Sequence, residues 1–340
     1  MASIFLPELS RKYIILTGKV VKKLIKTEKF QIYMLLVFAM ASWGFNVIAT
    51  KIIVTSFKPI TITSLRVFTA GICVFIILSF LKKVRLPTKK EAVYITIACF
   101  FNVVCHHFFL SMGLSKTTAS NGGLILGLSP LLSTIVAFIF LKDRVTLLKI
   151  IGILFGLTGV AFIVMIGNKG GISSISIGDI YVFLSIFTQA FSFVMIKKIS
   201  PTLDPRLMTG YMLVMGSIIL FIISLIKEPH GLADIPHGSF GVWMIFLASA
   251  IIATAMGHMI YNSSIGKVGV AESAIFINLN PFFSLVGAVL FLNEKISLSH
   301  VYGFLFILVG VLLGSGALEE FLHTSRLKKK PFYRGKVKNF

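Results

Sequence analysis

Acidic residues and cysteines are scarce in this 340-residue chain, which has 12 Asp and Glu against 33 Lys and Arg, and three Cys. Charged residues of both signs make up only 13% of it, which excludes an ordinary soluble globular domain. Cys73, Cys99 and Cys105 fall inside apolar runs, where cysteine acts as a small apolar residue, so no disulfide framework is predicted. The run Cys105-His106-His107 has the wrong spacing for one helical face, so we predict neither a metal site nor another cofactor.

Apolar sequence is abundant: 56% of the residues are hydrophobic and the mean hydropathy is +0.94. A helix needs roughly 20 apolar residues to cross about 30 Å of hydrocarbon. The runs here are longer and more continuous than the alternating segments of a membrane barrel, so we predict an all-α polytopic membrane protein. The ten predicted spans are 30–50, 60–81, 92–115, 118–141, 147–166, 178–198, 207–226, 240–264, 269–292 and 299–317.

The positions of the basic residues predict the orientation. With both termini in the cytoplasm, 26 Lys and Arg lie on the cytoplasmic side and six on the outside. This asymmetry follows the positive-inside rule, and it explains the net charge of +21 without a nucleic-acid partner. We therefore predict cytoplasmic termini and a multi-pass protein of the plasma membrane, the inner membrane of a bacterial cell.

Two basic segments flank the predicted spans, at 1–29 and 318–340. The first mixes Lys and Arg with Ile, Val and Leu, a pattern typical of an amphipathic helix on anionic lipid. A disordered basic tail is the alternative interpretation of segment 1–29. In either case, anionic membrane lipid is a predicted partner of the basic termini.

The chain repeats itself, because a shift of 151 residues lays 101–160 over 252–311 without a gap. A Leu-x-Pro motif and an acidic turn recur at this offset, and shared hydrophobicity alone would not align a charged turn. Five spans per repeat is an odd number, so the second repeat enters the membrane from the opposite side. We predict two inverted repeats, 30–166 and 167–317, an arrangement typical of carriers that work by alternating access.

The motifs of these repeats resemble the EamA branch of the drug/metabolite transporter superfamily. The first span contains WGFNVIATK at 43–51, and the second contains ITSLRVFTAG at 62–71 with its early Arg66. The fourth span of the second repeat contains LNPFFSLVGAVLFLNEKIS at 279–297, whereas the first repeat departs at its turn, with Lys142-Asp143. The resemblance implies a ten-helix secondary carrier of small metabolites, and it implies a structural or gating role for Arg66.

Polar side chains on two symmetry-related spans predict the substrate cavity. Trp43 and Asn46 share one face of the first span, and Gln189 lies on a similar face of the sixth. Interhelical hydrogen bonding is the alternative role of these amides. The predicted substrate-binding residues are Trp43, Asn46, His107, Asn121, Gln189, His258, Asn262 and Asn278.

His107 and His258 coincide under the 151-residue shift, on the third and eighth spans. A histidine titrates near physiological pH, so the pair could exchange a proton or donate to substrate, and a proton is the candidate coupling ion. The alternative is a neutral histidine bonded to a nearby carbonyl. His106 lies opposite Gly257 under the same shift and is assigned a structural role.

Four further residues are predicted to act in gating or coupling: Arg66, Pro130, Pro281 and Glu272. The prolines deprive the carbonyls of Leu126 and Ile277 of their helical partners, which predicts kinked helices that line the cavity or simply pack. Arg66 could reach the outer surface, pair with an acid or bind an anionic substrate. Glu272 is either a proton carrier or an acid that stabilises a helix N-terminus.

These observations predict a secondary transporter, not an enzyme, that exports a small amphipathic metabolite such as an amino acid. A nucleotide-sugar or sugar-phosphate antiporter is the alternative within transport, although it would need more cavity Lys and Arg than this sequence offers. A membrane-integrated enzyme or a lipid scramblase is the alternative of another class. Glycines on the fifth and tenth spans fit either packing within one chain or a dimer contact, so monomer and homodimer both remain open.

Overall fold

The computed structural model describes residues 6–141, 146–166 and 176–314, and its regular elements there are helical. The side chains of 6–28 and of some later positions lie outside this description. The α-helices, numbered in chain order, are α1 Leu6–Ser56, α2 Pro59–Phe80, α3 Lys89–Cys99, α4 His106–Lys116, α5 Ala119–Leu126, α6 Ser129–Leu141, α7 Leu147–Ile166, α8 Ile177–Ile199, α9 Pro205–Lys227, α10 Phe240–Ala248, α11 Gly257–Val268, α12 Val270–Ile275, α13 Asn280–Leu292 and α14 Leu298–Gly314.

The protein is a multi-pass membrane protein by the length and hydropathy of its helices. Seven segments of the described chain are long and apolar enough to cross a membrane, and Asn280–Leu292 and Leu298–Gly310 are shorter apolar helices. The seven segments are Lys29–Ser56, Pro59–Phe80, Lys89–Lys116, Ala119–Phe140, Ile177–Ile199, Pro205–Lys227 and Phe240–Val268. Ten spans and cytoplasmic termini stay predictions.

α1 continues without a break from the basic N-terminal segment into the first predicted span. Within the helical bundle it packs against elements of both sequence repeats, among them α4 and α13. Buried apolar residues of α1 contribute to two core clusters, with Leu36 and Met40 in one and Val47 and Ile48 in the other. The middle of α1 therefore lies where the two clusters meet.

Two π-helical segments interrupt long helices, one in each repeat. One, Phe100–Cys105, joins α3 to α4, and the other, Ser249–Met256, joins α10 to α11. They overlap under the 151-residue shift, so the repeat in the sequence corresponds to a repeat in local backbone structure. π turns leave backbone carbonyls with altered partners and frequently occur at functional sites.

The fourth predicted span of each repeat is broken rather than kinked. α5 ends at Leu126 and α6 begins at Ser129, while the 3₁₀ turn Phe276–Leu279 separates α12 from α13. Pro281 lies in the first turn of α13, where its missing N–H has no helical partner to lose, and Pro130 holds the equivalent place in α6. The predicted mid-helix kinks at these prolines are therefore corrected to helix starts.

α7 and α14 pack directly against each other through glycines. A Cβ at Gly159 would lie 2.7 Å from the carbonyl oxygen of Gly303, and one at Gly310 would lie 2.5 Å from the backbone nitrogen of Gly156. Such approach requires residues without side chains at the contact. These glycines are thus used for packing between the two repeats of one chain.

Ion pairs stabilise the chain at the starts of α3 and α9. Arg85 binds both carboxylate oxygens of Glu91 at 2.8 Å, and Glu91 also completes a capping box with Thr88 at the start of α3. Partial burial raises the pKa of the Asp204 carboxyl, but hydrogen bonds and charge from Arg206 outweigh burial and hold that pKa below its usual value. These contacts fix the N-terminal ends of α3 and α9.

Candidate substrate site

A small enclosed cavity of about 60 Å³ lies at the centre of the bundle. Both sequence repeats contribute to its wall, and five of the predicted side chains meet there: Trp43, Asn46, His107, Gln189 and His258. Its remaining lining residues are Val47, Thr50, His106, Leu110, Leu126, Thr254 and Asn280. The wall therefore combines apolar side chains with neutral polar groups.

His107 and His258 face each other across the two repeats, with ring centroids 5.8 Å apart. His258 Nδ1 lies 2.9 Å from the carbonyl oxygen of Thr254 and must donate to it, so the neutral ring keeps an acceptor at Nε2. Three ring nitrogens have no hydrogen-bond partner among the described residues: both nitrogens of His107, and Nε2 of His258. These are buried polar atoms that a ligand or water would satisfy.

His106, which the sequence assigns a structural role, also lines this cavity, and both of its ring nitrogens have partners in the protein. Its Nδ1 donates to the carbonyl oxygen of Ser185 at 3.0 Å, so its Nε2 accepts from Gln189 Nε2 at 3.3 Å. Adjacent residues of an α-helix point about 100° apart, and both rings still reach the cavity because it lies between their two directions. Three histidines thus surround one cavity, with centroids of His106 and His107 4.9 Å apart.

Arg66 lies beside the cavity with only 1% of its surface exposed, so it does not reach the outer surface. Its Nη1 donates to Ser249 Oγ at 3.0 Å and to Thr254 Oγ1 at 2.9 Å, both in the second π segment. Within the described part of the chain, no carboxylate lies within 4.0 Å of it. A buried cation without a paired acid is costly and is a functional-site signal in a membrane.

Two hydrogen bonds tie α1 to the second π segment. Trp43 Nε1 donates to the carbonyl oxygen of Ala253 at 2.9 Å, and Ser249 Oγ donates to Asn46 Oδ1. The Trp43 ring also packs on His258, with centroids 5.0 Å apart, and lies so near Gly257 that a Cβ there would meet Nε1 at 2.5 Å. α1 therefore closes one side of the cavity.

The remaining predicted site residues lie elsewhere. Asn121 Oδ1 accepts from His300 Nε2 at 3.0 Å, and Asn262 Nδ2 donates to Thr209 Oγ1 at 2.9 Å. Both contacts join helices away from the central cavity, the role expected of interhelical amides. The side chains of Glu272 and Asn278, and residue Asp143, lie outside the described residues. The described part also contains no group of three or more His, Cys, Asp or Glu that could hold a metal ion.

Comparison with known proteins settles the family. The model of the EamA-like transporter family matches residues 31–165 and 176–316. The chain belongs to the EamA-like transporter family. The uncharacterized transporter YyaM of Bacillus subtilis is 30% identical over 274 residues, 79% of this chain and 88% of YyaM. A chloroplastic WAT1-related protein of Arabidopsis thaliana is 24% identical over 277 residues, 80% of this chain and 66% of that protein.

This EamA-like transporter also shares its fold with a solved crystal structure of a protein. The TM-score is 0.63 at 16% sequence identity, and the match covers 88% of this chain and 99% of the other. At this identity the likeness is one of fold alone.

In this EamA-like transporter, two carboxylates that are distant in sequence accept hydrogen bonds from the N-termini of helices. Glu294 accepts from the backbone N–H groups of Ala119 and Ser120 at 2.9 and 3.0 Å, at the start of α5. Glu228 does the same for Ile60 and Thr61, at 3.1 and 2.8 Å, at the start of α2. A negative charge at a helix N-terminus satisfies free donors and the helix dipole. Both contacts join the two repeats and keep this end of the bundle closed.

Proposed function

We propose that this EamA-like protein is a secondary transporter that exports a small amphipathic metabolite, such as an amino acid, across the plasma membrane. The observation that carries the proposal is the central cavity, which side chains of both repeats line and in which His107 has no hydrogen-bond partner among the described residues. A site at the interface of two repeats is the arrangement that alternating access requires.

The chemistry of the cavity suits an ammonium group beside an apolar side chain. His258 Nε2, Thr50 Oγ1 and Asn280 Oδ1 are acceptors without a partner in the described part of the chain. The Trp43 ring offers a face for a cation. Val47, Leu110 and Leu126 supply the apolar wall.

The small volume of the central cavity supports a transport cycle in which the protein changes conformation. The cavity volume of about 60 Å³ is far below the roughly 300–1,000 Å³ typical of ligand pockets, so this state has too little room for a metabolite. Binding therefore requires the helices to separate, and the hydrogen bonds of Trp43 and Glu294 between the repeats must break and re-form. We take the state described here as one member of an alternating-access cycle.

Proton coupling is the finer part of the proposal. The facing rings of His107 and His258 lie one in each repeat, so a shared or exchanged proton would respond to the relative position of the two halves. No Lys or Arg is among the described lining residues, which disfavours a phosphate-binding antiporter.

The test uses proteoliposomes loaded with amino acids and related metabolites. A pH gradient is imposed, and efflux is followed by mass spectrometry for the intact chain, His107→Ala, His258→Ala and the matched control His230→Ala, which changes an exposed loop histidine. We expect gradient-accelerated efflux of one class of compound that both cavity variants lose and the control keeps.

Two results would count against parts of the proposal. Selective efflux that neither the gradient nor the cavity variants alter would remove proton coupling and the role of the two histidines. No selective efflux from a folded, inserted protein would remove the carrier assignment for these compounds.

A further inference from the structure

A second cavity of about 350 Å³ lies between α1 and the end of α10 with the second π segment. Phe38, Phe45 and Ile252 on its rim are 44%, 39% and 43% exposed. They lie near the middle of the spans Lys29–Ser56 and Phe240–Val268, so this groove opens sideways into the hydrocarbon of a bilayer. The other lining residues are Ala41, Ser42, Asn46, Ala49, Ala248, Ser249 and Ala253.

The surface of this lateral groove is almost entirely apolar, and the polar groups of Asn46 and Ser249 lie beneath it. Asn46 lines both the lateral groove and the central cavity, and its amide oxygen accepts from Ser249 Oγ. Trp43, on the central side, donates to the carbonyl oxygen of Ala253, on the groove side. A thin partition of two hydrogen bonds thus separates the two cavities.

Arg66 stands behind the partition and bonds to one residue of each cavity, Ser249 of the lateral groove and Thr254 of the central cavity. Both bonds use Nη1, so within the described residues the Nε–H and Nη2 groups keep donors for an anion. The guanidinium is fully buried and has no described carboxylate within 4.0 Å. An incoming carboxylate would supply the charge partner that the site lacks.

We propose that the groove between α1 and the second π segment is a lateral binding site for an amphipathic carboxylate that enters from the bilayer, with its apolar part between Phe38, Phe45 and Ile252 and its head directed to Arg66. This inference rests on the proposed function, since it names the chemistry and the entry route of the transported compound. The volume falls within the roughly 300–1,000 Å³ typical of ligand pockets, which the central cavity does not reach.

One head group of single charge fits the partition best. Arg66 is a single cation, and the neighbouring Asn46 and Ser249 are neutral, so a multiply charged phosphate would bring more charge than the site balances. When the head displaces Ser249, the bond between Ser249 and Asn46 opens as well. Passage to the central cavity then requires the release of Trp43 from Ala253 and the separation of the helices around that cavity.

Tryptophan fluorescence tests the site without any transport. The chain has two tryptophans, Trp43 at the partition and Trp243, which packs on Phe57 and Phe246. A Trp243→Phe protein leaves Trp43 as the single reporter in bilayers of unlabelled lipid. A dibrominated long-chain carboxylate is titrated, and the dibrominated alcohol of the same chain is the matched probe without charge.

We expect saturable quenching of Trp43 by the carboxylate, reversed by the unbrominated acid, and only linear quenching by the alcohol. Ala248→Phe, which fills the groove from an exposed position, should abolish the saturable part, whereas its neighbour Leu247→Phe, which does not line the groove, should keep it. Arg66→Gln should raise the half-saturating concentration at least tenfold, and Arg66→Lys should restore part of the loss.

Linear quenching by both probes would mean that bulk lipid chains occupy the groove, and it would overturn the inference. Saturable quenching that is equal for acid and alcohol, or equal in Ala248→Phe and Leu247→Phe, would also overturn it. If Arg66→Gln does not fold, the Ala248 and Leu247 pair decides alone. The quenching experiment measures binding and not flux, so it separates this inference from the proposed transport. Saturable quenching by a protein that shows no efflux would reject the proposed transport and keep the lateral site. Efflux without saturable quenching would reject the lateral site alone.

Discussion

The two π-helical segments occupy equivalent places in the two repeats, yet they contact α9 and α2 with different chemistry. The first packs on α9 through apolar atoms, and Val103 lies so near Gly216 that a Cβ there would meet it at 2.4 Å. The second packs on α2 through the hydrogen bonds of Arg66 to Ser249 and Thr254. A duplicated backbone feature thus supports an apolar contact in one repeat and a contact with a buried charge in the other.

The difference shows that the symmetry of the sequence extends to the helices but not to the charges. The central cavity draws side chains from both repeats, whereas the buried guanidinium lies against the second π segment alone. Substitutions at the contacts of the two π segments are therefore expected to have unequal effects on transport. The size of that difference measures how far the two repeats have diverged in role.

The largest effect is expected at Arg66. Arg66→Met keeps the bulk but removes the cation, and hydrogen bonds to a charged group contribute about 1.5–3 kcal/mol. Proteoliposome efflux should fall roughly 10- to 100-fold. The matched change Met212→Leu, at the apolar contact of α9 with the first repeat, should leave efflux within about twofold, since volume-conserving swaps are tolerated. Equal losses in the two variants would show that the contacts are functionally alike.

A smaller effect, confined to stability, is expected at the polar contact of the first π segment. Asn102 Nδ2 donates to Ser192 Oγ at 2.6 Å, and Asn102 Oδ1 has no partner among the described residues. Ser192→Ala leaves this buried amide without its acceptor, which should lower the free energy of unfolding by about 1–3 kcal/mol. Efflux by the protein that stays folded should not change. Unaltered stability together with lost efflux would place Asn102 in the transport machinery instead.

The smallest expected difference lies between the two symmetric histidines. His258→Leu removes the bond to Thr254 O, worth about 0.5–1.5 kcal/mol, whereas His107→Leu removes no hydrogen bond to a described residue. Thermal unfolding should therefore report a lower unfolding temperature for His258→Leu than for His107→Leu. The opposite order would mean that His107 has a structural partner, such as a bound water, that matters more than the Thr254 contact.

Much of the fold and part of the site could be predicted from the sequence. The 151-residue repeat is matched by paired π segments and paired helix breaks, because both follow from local sequence that was duplicated. Trp43, Asn46, Gln189, His107 and His258 meet at one cavity, since polar side chains on apolar helices are driven away from lipid and toward one another.

Other parts of the site could not be predicted from periodicity. His106 and His107 follow the π segment in one regular α-helix, and only the packing of α1, α8 and the second π segment around them shows that both rings reach the same cavity. Ser249 and Thr254 accept hydrogen bonds from Arg66, which lies 183 and 188 residues away in the sequence. No local sequence pattern indicates such a contact. Asn121 and Asn262 have the right chemistry and depth, but their partners His300 and Thr209 could be known only from the packing of the helices.

The glycine contact between α7 and α14 has a mechanical consequence. Where Gly159 meets Gly303 and Gly310 meets Gly156, the two helices touch backbone to backbone, without long side chains that must change rotamer when the helices turn against each other. Rotation about this line costs less repacking than rotation about a contact of interlocked side chains. A single methyl group at Gly310 would lie 2.5 Å from the backbone nitrogen of Gly156, so it would force α7 and α14 apart and remove this backbone contact.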